Sequence, residues 1–209
     1  MGSPVTIDRT DVPVREGLHR KPIHLAAHFP GVNHNTVWSD PAARSQVEFE
    51  SFVYLARAAE RAKFDFFFLA EGLRLREHRG RIHDLDVVGR PDTFTVLAAL
   101  AAVTERLGLT GTINSTFNEP YEVARQFASL DHLSEGRAGW NVVTSMWDSE
   151  ARNHGYRAMP PKDERYERAR EFVEVARALW ASWDEDAVTA DPEGRWAEPS
   201  KLHRLHHEG

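Results

Sequence analysis

A chain of 209 residues with a formal charge of −6, 41% hydrophobic and 28% charged residues and no cysteine has the composition of an ordinary globular protein. The absence of cysteine excludes disulfide frameworks, thiolate metal sites and cysteine nucleophiles, and the acidic balance argues against a nucleic-acid surface. No apolar run approaches the roughly 18 residues of a membrane span, and the N-terminus lacks a basic-then-apolar signal, so a cytoplasmic protein with neither nucleic acid nor membrane as partner is expected.

Residues 1–22 carry Pro4, Pro13 and Pro22 without periodicity and read as an extended leader. Ile23 to Ala27 reads as a first strand. After a Pro/Gly/Asn-rich loop from Pro30 to Pro41, a helix is expected from Ala42 to Lys63, with Phe49, Phe52, Val53, Ala56 and Ala59 on one face. Phe66-Phe67-Phe68-Leu69 is a continuous apolar run, as for a second strand covered on both sides. A polar loop from Glu71 to Pro91 leads to a helix over Asp92 to Arg106, and Leu109 to Ile113 is the third strand. The third helix runs from Glu119 to Leu133, with Pro120 suited to its first turn and Gly136 placed to stop the chain beyond its end. Ala138 to Val143 is the fourth strand and Asp163 to Ser182 the last helix. The tail from Asp191 to Gly209 has no periodic apolar face and reads as loop. Strand-helix alternation of this kind implies a parallel sheet with helices packed on it. Periodicity does not choose between an open sheet and half of an eightfold barrel.

In either case one set of residues should gather where the strands end: His28, Glu71, Asn114 with Ser115, and Thr144 with Ser145. Loops are polar in any case, so polarity alone does not make these a site. A carboxylate beside the apolar second strand needs a hydrogen-bonding partner, either one of Arg74, Arg76 and Arg79 or a ligand N–H. Trp140 and Trp147 bracket the fourth strand and serve packing or stack on a planar ligand. Asp163 and Glu164 suit the positive end of the last helix, where Lys162 and the Tyr166 hydroxyl could also meet a phosphate. His203, His206 and His207 have metal-binding spacing, but a solvated cluster is the simpler reading. No glycine-rich nucleotide loop of the Rossmann or P-loop type is present.

The segment YEVARQFASLDHLSEGRAGWNVVTS, followed by EARNHGY and DERYERAREFVEVARALW, resembles the nitrilotriacetate, dibenzothiophene-sulfone and long-chain-alkane monooxygenase branch of the bacterial-luciferase-like flavin enzymes. IHLAAHFPGVNHNTVW and FDFFFLAE fit the same branch, so the resemblance runs from about residue 23 to 209. It implies an α/β, TIM-type (β/α)8 barrel, of which this chain holds about the first four βα units over residues 23–183, with 184–209 a loop-like tail ending before strand five. It also implies reduced FMN bound at the strand ends, delivered by a separate NAD(P)H:flavin reductase, with O2 as co-substrate and a small organic molecule as the compound oxygenated. Carried over by position, Glu71 is the flavin-contacting acid, Thr112 and Asn114 approach the ring, Ser145 is a contact after the fourth strand, and Lys162 with Tyr166 holds the phosphate or ribityl end. Three departures stand out. Lys162 replaces a common His, Asn114 stands where a small hydroxyl residue is usual, and Met146 occupies the place of a catalytic His found in some members, so no general base is assigned.

Members of this family continue for about as many residues again. A half barrel leaves two strand edges and an inner face uncovered, so homo-oligomer formation or pairing with a C-terminal half is expected. Two other readings remain: a catalytically silent fragment acting as an interaction module, and a barrel that uses a deazaflavin without oxygen.

Overall fold

The computed structural model describes residues 22–28, 45–82 and 89–207; nearly all of the expected leader, and the loop from Pro30 to Pro41, lie outside them. The elements are β1 (Ala26–His28), α1 (Phe49–Arg61), β2 (Phe66–Leu69), β3 (Glu77–His78), β4 (Arg81–Ile82), α2 (Thr93–Ala101), β5 (Gly108–Asn114), α3 (Pro120–Ser134), β6 (Ala138–Val143), α4 (Asp148–Asn153) and α5 (Lys162–Trp180). β1, β2, β5 and β6 form one parallel sheet in that order. Each strand therefore lies beside the next large strand in sequence, with a helix on each return path.

One face of the sheet is the core. Phe67, Leu69 and Leu109 are fully buried there with Phe52, Ala56, Leu97 and Leu100 from the helices. Each large side chain contributes roughly 1.5–3 kcal/mol by leaving water. Gly111 is required at the contact with α2, because a Cβ there would stand 2.5 Å from Thr93 Cγ2 and 2.7 Å from Leu97 Cδ1. Trp140 belongs to this face too, against Phe127, Phe172 and Trp180, with its indole N–H donated to the Ile113 carbonyl at 3.0 Å. Packing is thus its role.

The opposite face carries the register His28, Phe68, Thr110, Gly139, with Thr112 opposite Asn141 and Asn114 opposite Val143. Phe66 and Phe68 are only half-buried, which corrects the expectation of a strand covered on both sides. Phe67 and Leu69 join the core cluster with the helices while Phe66 and Phe68 do not, so the FFFL run alternates between core and inner wall.

Two charged side chains lock the other end of the sheet, where β5 begins. Glu60 on α1 accepts three backbone N–H groups on one oxygen, from Glu105, Arg106 and Leu107 at 2.7 to 3.0 Å. Burial raises its pKa, but these donors and nearby Arg137 outweigh that and hold it below the usual carboxylate value. Its contribution is therefore present above the unfolded carboxylate pKa and lost as pH falls through the folded one. Arg137 donates to the carbonyls of Ser134, Leu107, Ala101 and Thr104 and to the Thr104 hydroxyl at 2.6 to 3.2 Å. It ties the ends of α2 and α3 to the strand between them.

Several boundaries differ from the sequence expectation for local reasons. α1 starts at Phe49 because the Ser45 hydroxyl accepts the Val47 and Glu48 N–H groups in a turn, an alternative to helix that serine offers. α2 stops at Ala101, freeing the following N–H groups for Glu60. The polar loop after β2 contains the β3-β4 hairpin, closed by Arg79 and Gly80 at φ 50° and 75°, the positive pair that a type I′ turn requires. α4 was unforeseen. The tail is also more ordered than a loop. Val188 bridges to Ala197 and Trp183 to Leu202, a short 3-10 turn spans Pro199–Lys201, and Lys201 pairs with Asp186. His203 and His207 bond separate carboxylates, Asp184 at 3.0 Å and Glu171 at 2.9 Å, so they are not gathered around one point. No helix among the described residues is long and apolar enough to cross a membrane.

Candidate active site

The C-terminal ends of β2, β5 and β6 open into a cavity of about 480 Å3, bounded by Glu71, Thr112, Val142 to Trp147, Glu150 and, from α5, Tyr166 and Ala169. Ligands of parallel α/β folds bind at this end of the strands, and the volume suits a small ligand or a cofactor ring. Four of the six residues assigned from the sequence (Glu71, Thr112, Ser145 and Tyr166) line this cavity. Lys162 lies beside it, its ammonium 5.6 Å from the centroid of the Tyr166 ring. The sixth, Asn114, is placed differently.

Asn114 is completely buried, and its polar atoms are occupied by protein. Its backbone N–H and its Nδ2 both donate to Glu71 Oε2, at 3.1 and 2.9 Å. Its Oδ1 accepts the Phe117 N–H at 2.8 Å and its carbonyl accepts from Asn118 Nδ2 at 2.8 Å. Asn114 thus positions Glu71 from behind, with its own polar atoms turned to protein. A small hydroxyl residue could not span both partners. Replacing it in Asn114→Ala leaves a buried carboxyl and a buried N–H short of partners, with an expected loss of about 2–3 kcal/mol of stability, measured by urea denaturation.

Burial pushes the Glu71 carboxyl up to about 7; the two Asn114 hydrogen bonds oppose the rise, Glu150 adds to it and His154 opposes it. Glu71 therefore changes charge near neutrality inside the cavity, accepting from a ligand N–H when ionised and donating when protonated. Thr112, also buried, receives Asn141 Nδ2 on its hydroxyl at 3.0 Å. Ser145 has φ 56°, a left-handed conformation that costs a non-glycine residue on the order of 1 kcal/mol. Trp147 stays half-exposed at the rim with the Arg74 guanidinium 4.8 Å above its ring, so unlike Trp140 it is not taken up by core packing.

Residue-type reasoning missed Asn141, Glu150 and Arg165. Glu150 was within reach of it, because Asp148 and Glu150 place acids in the first turn of a helix. Glu150 Oε2 receives the Met146 and Trp147 N–H groups at 3.4 Å and shapes the rim. Asn141 and Arg165 act through contacts that only the fold creates.

A parallel sheet with its cavity at the strand ends and an acid, hydroxyls and a tyrosine around it defines the class: an α/β ligand-binding unit of barrel type. The luciferase-like monooxygenase family matches residues 31–207, and the chain belongs to it. It is 44% identical over 194 residues to N-acetyl-S-(2-succino)cysteine monooxygenase of Bacillus subtilis (strain 168), covering 91% of this chain and 43% of that protein. It is 42% identical over 201 residues to dibenzothiophene-sulfone monooxygenase of Rhodococcus erythropolis (strain XP), covering 91% and 44%. A crystal structure of a riboflavin lyase with modified FMN and riboflavin superimposes with TM-score 0.77 at 35% identity, over 89% of this chain and 44% of that one. The chain spans less than half the length of these relatives, and its sheet is the first four βα units of the luciferase-like barrel.

Proposed function

We propose that this chain is the flavin-binding N-terminal half of a two-component monooxygenase, which takes reduced FMN from a separate NAD(P)H:flavin reductase and oxygenates a small organic substrate with O2. The observation that carries the reading is the cavity itself: Glu71, Thr112, Ser145 and Tyr166, the positions at which the family resemblance implies flavin contacts, converge on one space at the strand ends. The modified FMN that accompanies riboflavin in the riboflavin lyase structure supports the same choice of cofactor.

The donor set fits a flavin. Glu71 meets an N–H or a carbonyl according to its charge, Thr112 and Ser145 offer hydroxyls, and Lys162 beside Tyr166 supplies the cation and phenol suited to a phosphate or ribityl chain. When bound, flavin supplies the oxygen chemistry, which no side chain of the twenty can perform. The protein residues orient it and keep water away. Leu73, Val142, Val143, Met146 and Trp147 give the cavity its apolar lining, and Glu71 holds or releases a proton at its carboxyl.

The edges of β1 and β6 are the places where further strands or a second copy would pair, so we also propose homo-oligomerisation or association with a C-terminal half, and a phosphate site completed by it. Titration of the chain with FMN, followed by flavin fluorescence, is expected to show saturable binding with Kd in the tens to hundreds of micromolar, on the order of −5 to −6 kcal/mol. No saturation up to millimolar FMN would overturn the flavin reading. Stoichiometric low-micromolar binding would overturn the claim that the phosphate site is incomplete.

A further inference from the structure

The turn that follows β6 is held by a side chain outside the set of proposed flavin contacts. Arg165 Nη1 donates to the Thr144 carbonyl at 3.1 Å and, at shorter range, to the Ser145 carbonyl, while its Nε donates to the Pro160 carbonyl at 3.0 Å. Thr116 adds its hydroxyl to the Thr144 carbonyl at 2.7 Å. One turn along α5, Arg168 repeats the arrangement on the preceding loop, donating to the carbonyls of Ser115 at 3.1 Å and Asn118 at 3.0 Å. The same helix thus grips the chain after β5 and after β6.

Arg165 occupies an electrostatically poor position. It stands in the opening turns of a 19-residue helix, where the exposed N–H groups favour acids; Asp163 and Glu164 obey that preference and Arg165 does not. It is half-buried while its neighbours Glu164 and Tyr166 are exposed. What offsets the cost is its set of carbonyl acceptors, two of which belong to Thr144 and the left-handed Ser145. A guanidinium fork can bind adjacent carbonyls and a third from another direction; an ammonium cannot do so with the same geometry.

We infer that Arg165 is a positioning residue: it holds the Thr144–Ser145 turn in its left-handed form and fixes the span across the cavity between that turn and the Lys162–Tyr166 end of α5. Its effect on cofactor binding rests on the flavin reading above; its effect on the turn does not.

The test is a double-mutant cycle in the full chain. Glycine adopts the left-handed conformation without a Cβ penalty, so Ser145→Gly should make the turn less dependent on the clamp. Amide hydrogen exchange of Met146 and Trp147, without ligand, is expected to quicken about tenfold in Arg165→Gln, and less in Arg165→Lys, while the same Arg165→Gln change made in Ser145→Gly has an effect below about threefold. Equal effects in both backgrounds, or unchanged exchange, would overturn the inference. Should Arg165→Gln fail to fold by circular dichroism, Arg165→Lys in the two backgrounds decides by the same comparison. FMN titration is the second arm, with Kd expected to rise about tenfold in Arg165→Gln. Faster exchange with an unchanged Kd would overturn the role across the cavity. A parent chain that binds no FMN would overturn the flavin reading, while the exchange arm still judges the clamp.

Discussion

Arg137→Ala is expected to lower the free energy of unfolding by about 3–5 kcal/mol, a larger loss than that expected for Asn114→Ala. The side chain makes five hydrogen bonds to four residues of three segments, and its removal leaves several carbonyls at the ends of α2 and α3 competing for water in a partly buried space. Glu60 also loses a nearby positive charge. Arg137→Lys should recover less than half of the loss, because an ammonium cannot present parallel donors to acceptors spread over a plane. Equilibrium urea denaturation measures both. A loss below about 1 kcal/mol for Arg137→Ala would mean that the guanidinium is no more than a surface charge.

Glu71→Gln should act in the opposite sense, and its effect should depend on pH. The folded carboxyl titrates near 7 rather than 4.5. Below both values the folded and unfolded chains are equally protonated. Between them the folded chain holds a proton that the unfolded chain has lost, so stability falls as pH rises; above 7 both are ionised and the full cost of the buried charge remains. With allowance for partial exposure that cost is about 2–3 kcal/mol. Glutamine keeps an oxygen for the two Asn114 donors and carries no charge. The stability advantage of Glu71→Gln over the parent should therefore grow by about 2 kcal/mol between pH 5 and pH 8, read from urea midpoints at constant ionic strength. A gap of constant size across that range would show that the carboxyl does not titrate there.

What could be read in advance was the periodic part. The run from Ala138 to Val143 is a strand with the same ends as expected, since an apolar stretch bounded by Gly136 and by Thr144-Ser145 leaves few alternatives. Glu71 stood out because a carboxylate after five apolar residues, Phe66 to Ala70, must be accounted for. Asn114 was less legible, because a side chain that serves another side chain leaves no mark in composition or spacing. Arg137 shows the same limit more sharply. It sits inside the most distinctive motif of the chain, and every acceptor except the Thr104 hydroxyl is a backbone carbonyl, which any residue could supply. The left-handed turn at Ser145 was equally hidden, since serine is no signal for positive φ.

The order of the sheet has a consequence for how the chain acquires its shape. Because β1, β2, β5 and β6 lie side by side in the sequence in which they are made, each strand finds its partner already in place as it emerges, and no earlier pairing has to open to admit it. Contacts of modest sequence separation close at small entropic cost. The sheet is in effect an additive structure with a growing end at β6, and a defect in one unit should compromise the units added after it more than those already laid down.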